Sequence, residues 1–192
     1  MTTEIETIKK PQILKIELGP KISKRVSRRK TISFEPGINL LIGPNGSGKS
    51  TILRSIRDWK REKPFPKVSY NPGRLFSFDF EKDNPRTKGH FGNDFEFQVA
   101  SMFSSHGETT KGLLHFLVDS KSENAVFLLD EPEQALDIDG LNNLVSDLKI
   151  SSASQIIIAT HSPFLILQKE FHVIEIIKGY RKKIRDALLQ LL

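Results

Sequence analysis

The segment Gly43-Pro44-Asn45-Gly46-Ser47-Gly48-Lys49-Ser50 constrains this chain more than any other feature. It reads G-x-x-x-x-G-K-S and lies between a continuous apolar run, Ile38 to Ile42, and a helix-forming segment. Glycines let the backbone turn its N–H groups inward, and a helix that starts at the end of the loop adds the positive end of its dipole. A loop of this kind cradles phosphate. In it Lys49 reaches the β- and γ-phosphates of a nucleotide, the Ser50 hydroxyl ligates Mg²⁺, and Thr51 sits beside them on the helix. A glycine-rich turn that contains Lys-Ser by chance would need neither the strand before it nor the helix after it.

The apolar pattern on either side supports that placement. Ile13 to Leu18 alternates apolar and polar residues, and Thr31 to Phe34 is a second strand-like run, so the two are expected as strands joined by a basic connection. Pro36-Gly37 makes a turn, and Ile38 to Ile42 reads as a strand buried on both faces. From Lys49 to Lys60 the residues Ile52, Leu53, Ile56 and Trp59 recur at helical spacing, the stripe of a helix packed on a sheet. Pro64 to Gly92 is rich in Pro, Gly, Asn and Lys around one alternating run, Leu75 to Phe80, which predicts a peripheral strand in irregular connections. Phe95 to Phe103 and Gly107 to Asp119 are expected as helices, Ala125 to Leu129 as a buried strand and Leu141 to Leu148 as a helix. Gln155 to Ala159 is a further buried strand, and Val173 to Ile177 another. Tyr180 to Leu192 is a basic amphipathic helix expected to dock on the body, with Leu188, Leu189, Leu191 and Leu192 open to a partner as the alternative. Strands alternating with helices predict an α/β fold with a largely parallel core sheet flanked by helices, whose ligands bind at the carboxyl ends of the strands.

Two further groups fall at such ends. Ala125 to Leu129 runs directly into Asp130-Glu131, where Asp130 suits the Mg²⁺ shell, through water, and Glu131 suits positioning and deprotonating an attacking water. Acids at a strand end are often no more than a solvated terminus, but the phosphate loop gives these two a task. His161 follows Ile156-Ile157-Ile158-Ala159-Thr160 and is placed to hydrogen-bond a γ-phosphate.

The chain has 192 residues, the range of one domain, so residues 1–192 are read as a single unit with a flexible start over residues 1–10 and an irregular insertion over residues 64–104. No apolar run approaches the roughly 20 residues that cross a bilayer, and Met1 to Lys10 lacks the pattern of a secretory signal, so cytoplasmic localisation without membrane insertion is expected. The absence of cysteine excludes disulfides, thiolate zinc sites and thiol catalysis. The net charge of +6 is unevenly placed, with six of the ten residues from Lys21 to Lys30 basic. Such a stretch fits a polyanionic partner, and it equally fits a solvated hairpin tip.

Taken in order from Ile13 to Ile177, these motifs resemble the ATP-binding cassette (ABC) ATPase superfamily. Leu128-Leu129-Asp130-Glu131-Pro132-Glu133-Gln134-Ala135-Leu136-Asp137 looks like that family's acidic strand running into its D-loop. The resemblance implies ATP and Mg²⁺ as cofactors, ATP hydrolysis, Asp137 as the D-loop aspartate at a dimer seam and His161 as the switch histidine. It also implies a signature loop, for which Ser104-Ser105-His106-Gly107-Glu108 stands in the right place. Ser105 and Gly107 match that loop, whereas His106 replaces a glycine and Glu108 a glutamine. In the family the signature loop of one subunit meets the γ-phosphate held by another, which implies an ATP-dependent head-to-tail homodimer. The fold expected from the resemblance is a phosphate-loop NTPase with an N-terminal antiparallel β subdomain and a minimal signature-helix subdomain.

Two departures bear on the branch. Lys21-Ile22-Ser23-Lys24-Arg25 carries no aromatic residue where transport cassettes stack adenine, and only Asp79, Asp83 or Asn84 are positional candidates for a glutamine loop. Phe34-Glu35-Pro36-Gly37-Ile38-Asn39 leading into Leu40-Leu41-Ile42 looks more like the RecF/SMC-type branch, which implies DNA or an effector protein as partner, in repair or defence. A transporter motor and an ATP-switched interaction module remain the alternatives.

Overall fold

The structure, a computed structural model, describes residues 10–26, 30–61, 64–79, 123–134 and 136–191. The expected helices at Phe95 to Phe103 and Gly107 to Asp119, and the signature subdomain with them, lie outside the described residues.

Five parallel strands form the core. In chain order they are β3 (Gly37–Ile42), β5 (Arg74–Asp79), β6 (Ala125–Asp130), β7 (Gln155–Thr160) and β8 (His172–Glu175), and they lie side by side as β5-β6-β7-β3-β8. Every residue of β6 and β7 is buried, as expected for interior strands covered on both faces. Successive residues then serve opposite layers. Leu40, Ile42, Phe127, Leu129, Ile156 and Ile158 face one side, where they meet Leu144 and Leu148 of α3 (Ile138–Ile150) and Leu165 of the single-turn α4 (Pro163–Ile166). Leu41, Val126, Leu128, Ile157 and Ala159 face the other, where they meet Ile52, Leu53 and Ile56 of α2 (Lys49–Asp58).

An antiparallel sheet of order β2-β1-β4, built from β1 (Gln12–Glu17), β2 (Thr31–Ser33) and β4 (Lys67–Asn71), completes that second layer through Ile13, Ile16 and Ile32. Gln155, fully buried at the start of β7, ties the two sheets together. Its Oε1 accepts from the Ile13 amide at 2.8 Å, and its Nε2 donates to the carbonyls of Ile13 and Glu35 at 3.0 and 2.8 Å.

The structure corrects the sequence reading in three places. The basic connection contains α1 (Pro20–Arg25), because Pro20 presets the first helical turn while Ser23 and Val26 turn inward and Lys21 and Lys24 stay in water. The segment expected to be irregular after Pro64 supplies β4 as well as β5, and β4 is defined by its pairing with β1 rather than by its own pattern, since Val68 is its only aliphatic residue. The short helix α4 was not expected from the sequence and begins at Pro163, directly after the loop that carries His161. The last helix, α5 (Tyr180–Leu189), docks through Tyr180 and Ile184 and leaves Leu189 and Leu191 exposed.

Candidate functional site

β3, β7 and β6 are neighbours, and their carboxyl ends lie level: Ile42 pairs with Thr160, and Asp130 with Ala159. The residues that follow each strand therefore share one rim. After β3 comes the glycine loop, whose chain reverses through Gly46 and Gly48 at φ of +75° and +95°, a backbone region that side chains rarely adopt. Gly43 is required for a different reason, since a Cβ there would sit 2.6 Å from the Ser47 hydroxyl. That hydroxyl is buried with no hydrogen-bond partner among the described residues. Gly48 then caps α2, whose first residues are Lys49 and Ser50.

Lys49 is buried, and its ammonium folds back on the loop, donating to the carbonyls of Gly43 at 3.1 Å and Pro44 at 3.4 Å. A cleft of about 260 Å³ opens beside it, lined by Asn45, Gly46, Gly48, Lys49, Ser50, Thr51, Arg54 and Glu131. Cation, hydroxyls and the unpaired N–H groups at a helix start make an anion cradle. The Ser47 hydroxyl without a partner and the left-handed glycines fit a phosphate chain in that cradle.

Across the cleft the Ser50 hydroxyl donates to Asp130 Oδ1 at 2.9 Å. Burial pushes the Asp130 carboxyl up to about 6, opposed by that hydrogen bond and reinforced by the neighbouring charges of Asp79 and Glu131. A carboxylate held unstable by burial and by like charges is a natural place for a cation. Among the described residues no group of three or more His, Cys, Asp or Glu could hold a metal by itself. One carboxylate, one hydroxyl and the oxygens of a bound phosphate are nevertheless the donor set that Mg²⁺ takes.

Glu131 has φ +54°, a left-handed conformation that costs a non-glycine residue energy and sharply reverses the chain. The reversal is held by the Glu131 amide on the Ala159 carbonyl at 2.9 Å and by the Gln134 amide on the Glu131 carbonyl at 3.1 Å. Its carboxylate remains accessible on the cleft wall, where Gln134 Nε2 donates to Oε2 at 2.6 Å and His161 Nδ1 lies 3.2 Å from Oε1. The structure thus brings together the loop residues Gly43 to Thr51, Asp130, Glu131 and His161.

Asp137 lies farther along the chain and has a local task as well: it is the N-cap of α3, its Oδ1 accepting from the Gly140 amide at 2.7 Å. Ser105, Gly107 and Glu108 lie outside the described residues. Asp79 ends β5 directly beside Asp130. Three residues at the site were not singled out from the sequence. Arg54 lines the cleft one helical turn after Ser50, donating to the Ser50 carbonyl at 3.2 Å, and its spacing on the helix was a signal that could have found it. Glu133 and Thr160 meet beneath the rim, and no local pattern marks them.

A phosphate loop joining strand to helix, with an acidic strand end across the cleft on a parallel sheet, defines the phosphate-loop NTPase class. Within it, the family model described as "AAA domain" matches residues 25–190, and the chain belongs to that family. No match was found among the curated proteins. Among solved structures the chain is similar to an ATP-binding protein of Pyrococcus furiosus described as belonging to an ABC transporter, at 20% identity over 88% of this chain and 98% of that one, with a TM-score of 0.54. It is also similar to a metal-chelate type ABC transporter in an inward-facing conformation, at 17% identity over 88% of this chain and 80% of that one, with a TM-score of 0.50. At these identities the likeness is one of fold, that of ABC-type ATPase domains. Among the described residues no helix is long and apolar enough to cross a membrane.

Proposed function

We propose that residues 1–192 form one ATPase domain that binds Mg-ATP at Gly43 to Thr51 and hydrolyses it as a switch for head-to-tail dimerisation. The observation that carries this reading is the convergence on one rim of the Ser50–Asp130 pair at 2.9 Å and the Glu131–His161 pair at 3.2 Å, with Lys49 between loop and cleft. Lys49 exchanges the loop carbonyls for β- and γ-phosphate oxygens. Ser50 and Asp130 would hold Mg²⁺, which would neutralise charge on the phosphate chain. Glu131 orients the attacking water and takes its proton, and His161 hydrogen-bonds the γ-phosphate.

Ser105, Gly107 and Glu108 of a second copy close on that phosphate, with Asp137 at the seam, so that ATP holds the dimer and hydrolysis releases it. The opening segment Phe34 to Asn39 and the exposed Lys21 and Lys24 favour a cytoplasmic, RecF/SMC-like role on DNA.

The molar mass of Glu131→Gln in solution, with and without Mg-ATP and with a short DNA duplex, tests the proposal. We expect a dimer only with Mg-ATP, turnover about 100-fold or more below the parent, and salt-sensitive co-elution with DNA that weakens when Arg25, Arg28 and Arg29 are neutralised. A protein that binds ATP yet stays monomeric sinks the sandwich dimer. Parental turnover in Glu131→Gln sinks the assignment of the base, and dimerisation without DNA binding moves the role to a protein partner.

A further inference from the structure

Glu131 and Glu133 leave the same turn and flank one imidazole, their Oε1 atoms 3.2 and 4.0 Å from His161 Nδ1, but they differ in exposure. The first lines the cleft, whereas the Glu133 side chain is only 7% exposed. Its Oε1 accepts three hydrogen bonds: from the Thr160 hydroxyl, from the His161 amide at 3.2 Å and from the Ser162 amide at 3.3 Å. The Ser162 amide also donates to Thr160 Oγ1 at 3.0 Å, which makes a small closed network. Its position in the sheet explains why it is there. The amide of Glu131 reaches the Ala159 carbonyl, and beyond that point the network around Glu133 links the segments that follow β6 and β7. The two amides it satisfies are those of the loop that carries the imidazole.

Burying a carboxylate is costly, and Oε2 finds no partner among the described residues. An apolar side chain would fill the same space without that cost. What it would lack is the hold on His161, whose imidazole must keep its place against Glu131 when a nucleotide enters. We propose that Glu133 is a positioning residue for hydrolysis, fixing the main chain of His161 against the turn of Glu131 and so setting the spacing of imidazole and carboxylate. This rests on the ATPase reading above.

The test is a double-mutant cycle of Glu133→Ala and His161→Ala in the full chain, reading kcat, KM and the affinity for a fluorescent ATP analogue. Misplacing a reacting group by about an ångström costs up to about 100-fold. Glu133→Ala is therefore expected to lower kcat by about 10- to 100-fold while nucleotide affinity stays within about twofold. Glu133→Gln, which keeps an acceptor oxygen, is expected to recover part of that loss. In the His161→Ala background the same change is expected to alter kcat by less than about twofold, since the group it positions has gone. Equal losses in both backgrounds, or parental kcat in Glu133→Ala, overturn the proposal. Should Glu133→Ala fail to fold, Thr160→Val removes one donor and carries the same cycle with the same expectations. With Glu131→Gln inactive, a failed cycle overturns this proposal alone. With Glu131→Gln as active as the parent, the assignment of Glu131 as the base falls and this proposal falls with it, whereas a parent protein without ATP turnover would sink the ATPase reading itself.

Discussion

Asp130 meets two opposed demands, burial beneath the cleft and readiness to face a cation. Burial raises its pKa from 3.8 to about 6, so the nucleotide-free fold holds the protonated acid only below about pH 6 and bears a buried charge above it. A raised folded-state pKa gives stability that is fully present below the unfolded value and is lost as pH rises through the folded one. For Asp130 that loss runs from about pH 4 to about pH 6, and a shift of about two units corresponds to about 3 kcal/mol. Asp130→Asn keeps an acceptor for the Ser50 hydroxyl and removes the charge. Without nucleotide, the variant is expected to be more stable than the parent at pH 7.5, with the advantage fading towards pH 4. Chemical denaturation at the two pH values checks this, and an advantage that persists at pH 4 would mean that charge is not its source. The same variant is expected to lose Mg²⁺-dependent tightening of ATP binding, which would separate the cost of the buried acid from its use.

At the scale of elements, Asp137 shows how one residue can serve local structure and a proposed interface together. Its carboxylate caps α3, and removing an N-cap costs about 1 kcal/mol. Asp137→Ala is expected to lower stability by about that amount, and Asp137→Ser to restore it. A dimer that forms with Ser as readily as with Asp would leave the cap as the only role for this side chain. The strands β3, β6 and β7 were legible in the sequence because each is a continuous apolar run that ends in a chemical motif, and α2 was legible from the spacing of Ile52, Leu53 and Ile56. α1 was not, because six basic residues in ten hide the inward positions Ser23 and Val26. β4 was not, because Lys67-Val68-Ser69-Tyr70-Asn71 has little apolar pattern and is a strand through its pairing with β1.

For the whole molecule, the joint between the two sheets matters as much as either sheet. Gln155 makes three main-chain hydrogen bonds across it from a fully buried position. Gln155→Leu would leave the Ile13 amide and carbonyl without that partner, at about 1–3 kcal/mol for each group left unsatisfied, while the Glu35 carbonyl keeps Asn39 Nδ2 at 2.8 Å. The expected result is a lower melting temperature together with a loosened antiparallel sheet, read as faster amide exchange at Ile13. An unchanged melting temperature would show that the joint holds through its apolar contacts alone.

The phosphate loop, the acids at the end of β6, the histidine after β7 and the α/β class were all readable from the amino-acid order. Each of these is written in consecutive residues or in a short period, where local sterics and burial decide the outcome. The order β5-β6-β7-β3-β8, the place of β4, the inward turn of Glu133 and the bridging role of Gln155 emerge only once the chain is folded. Their partners lie far off in the chain, 27 residues for Glu133 with Thr160 and 142 for Gln155 with Ile13. A polar side chain looks the same in sequence whether it ends in water or beneath a sheet. What separates the two is which strand ends the fold brings level and which amides are left there to satisfy.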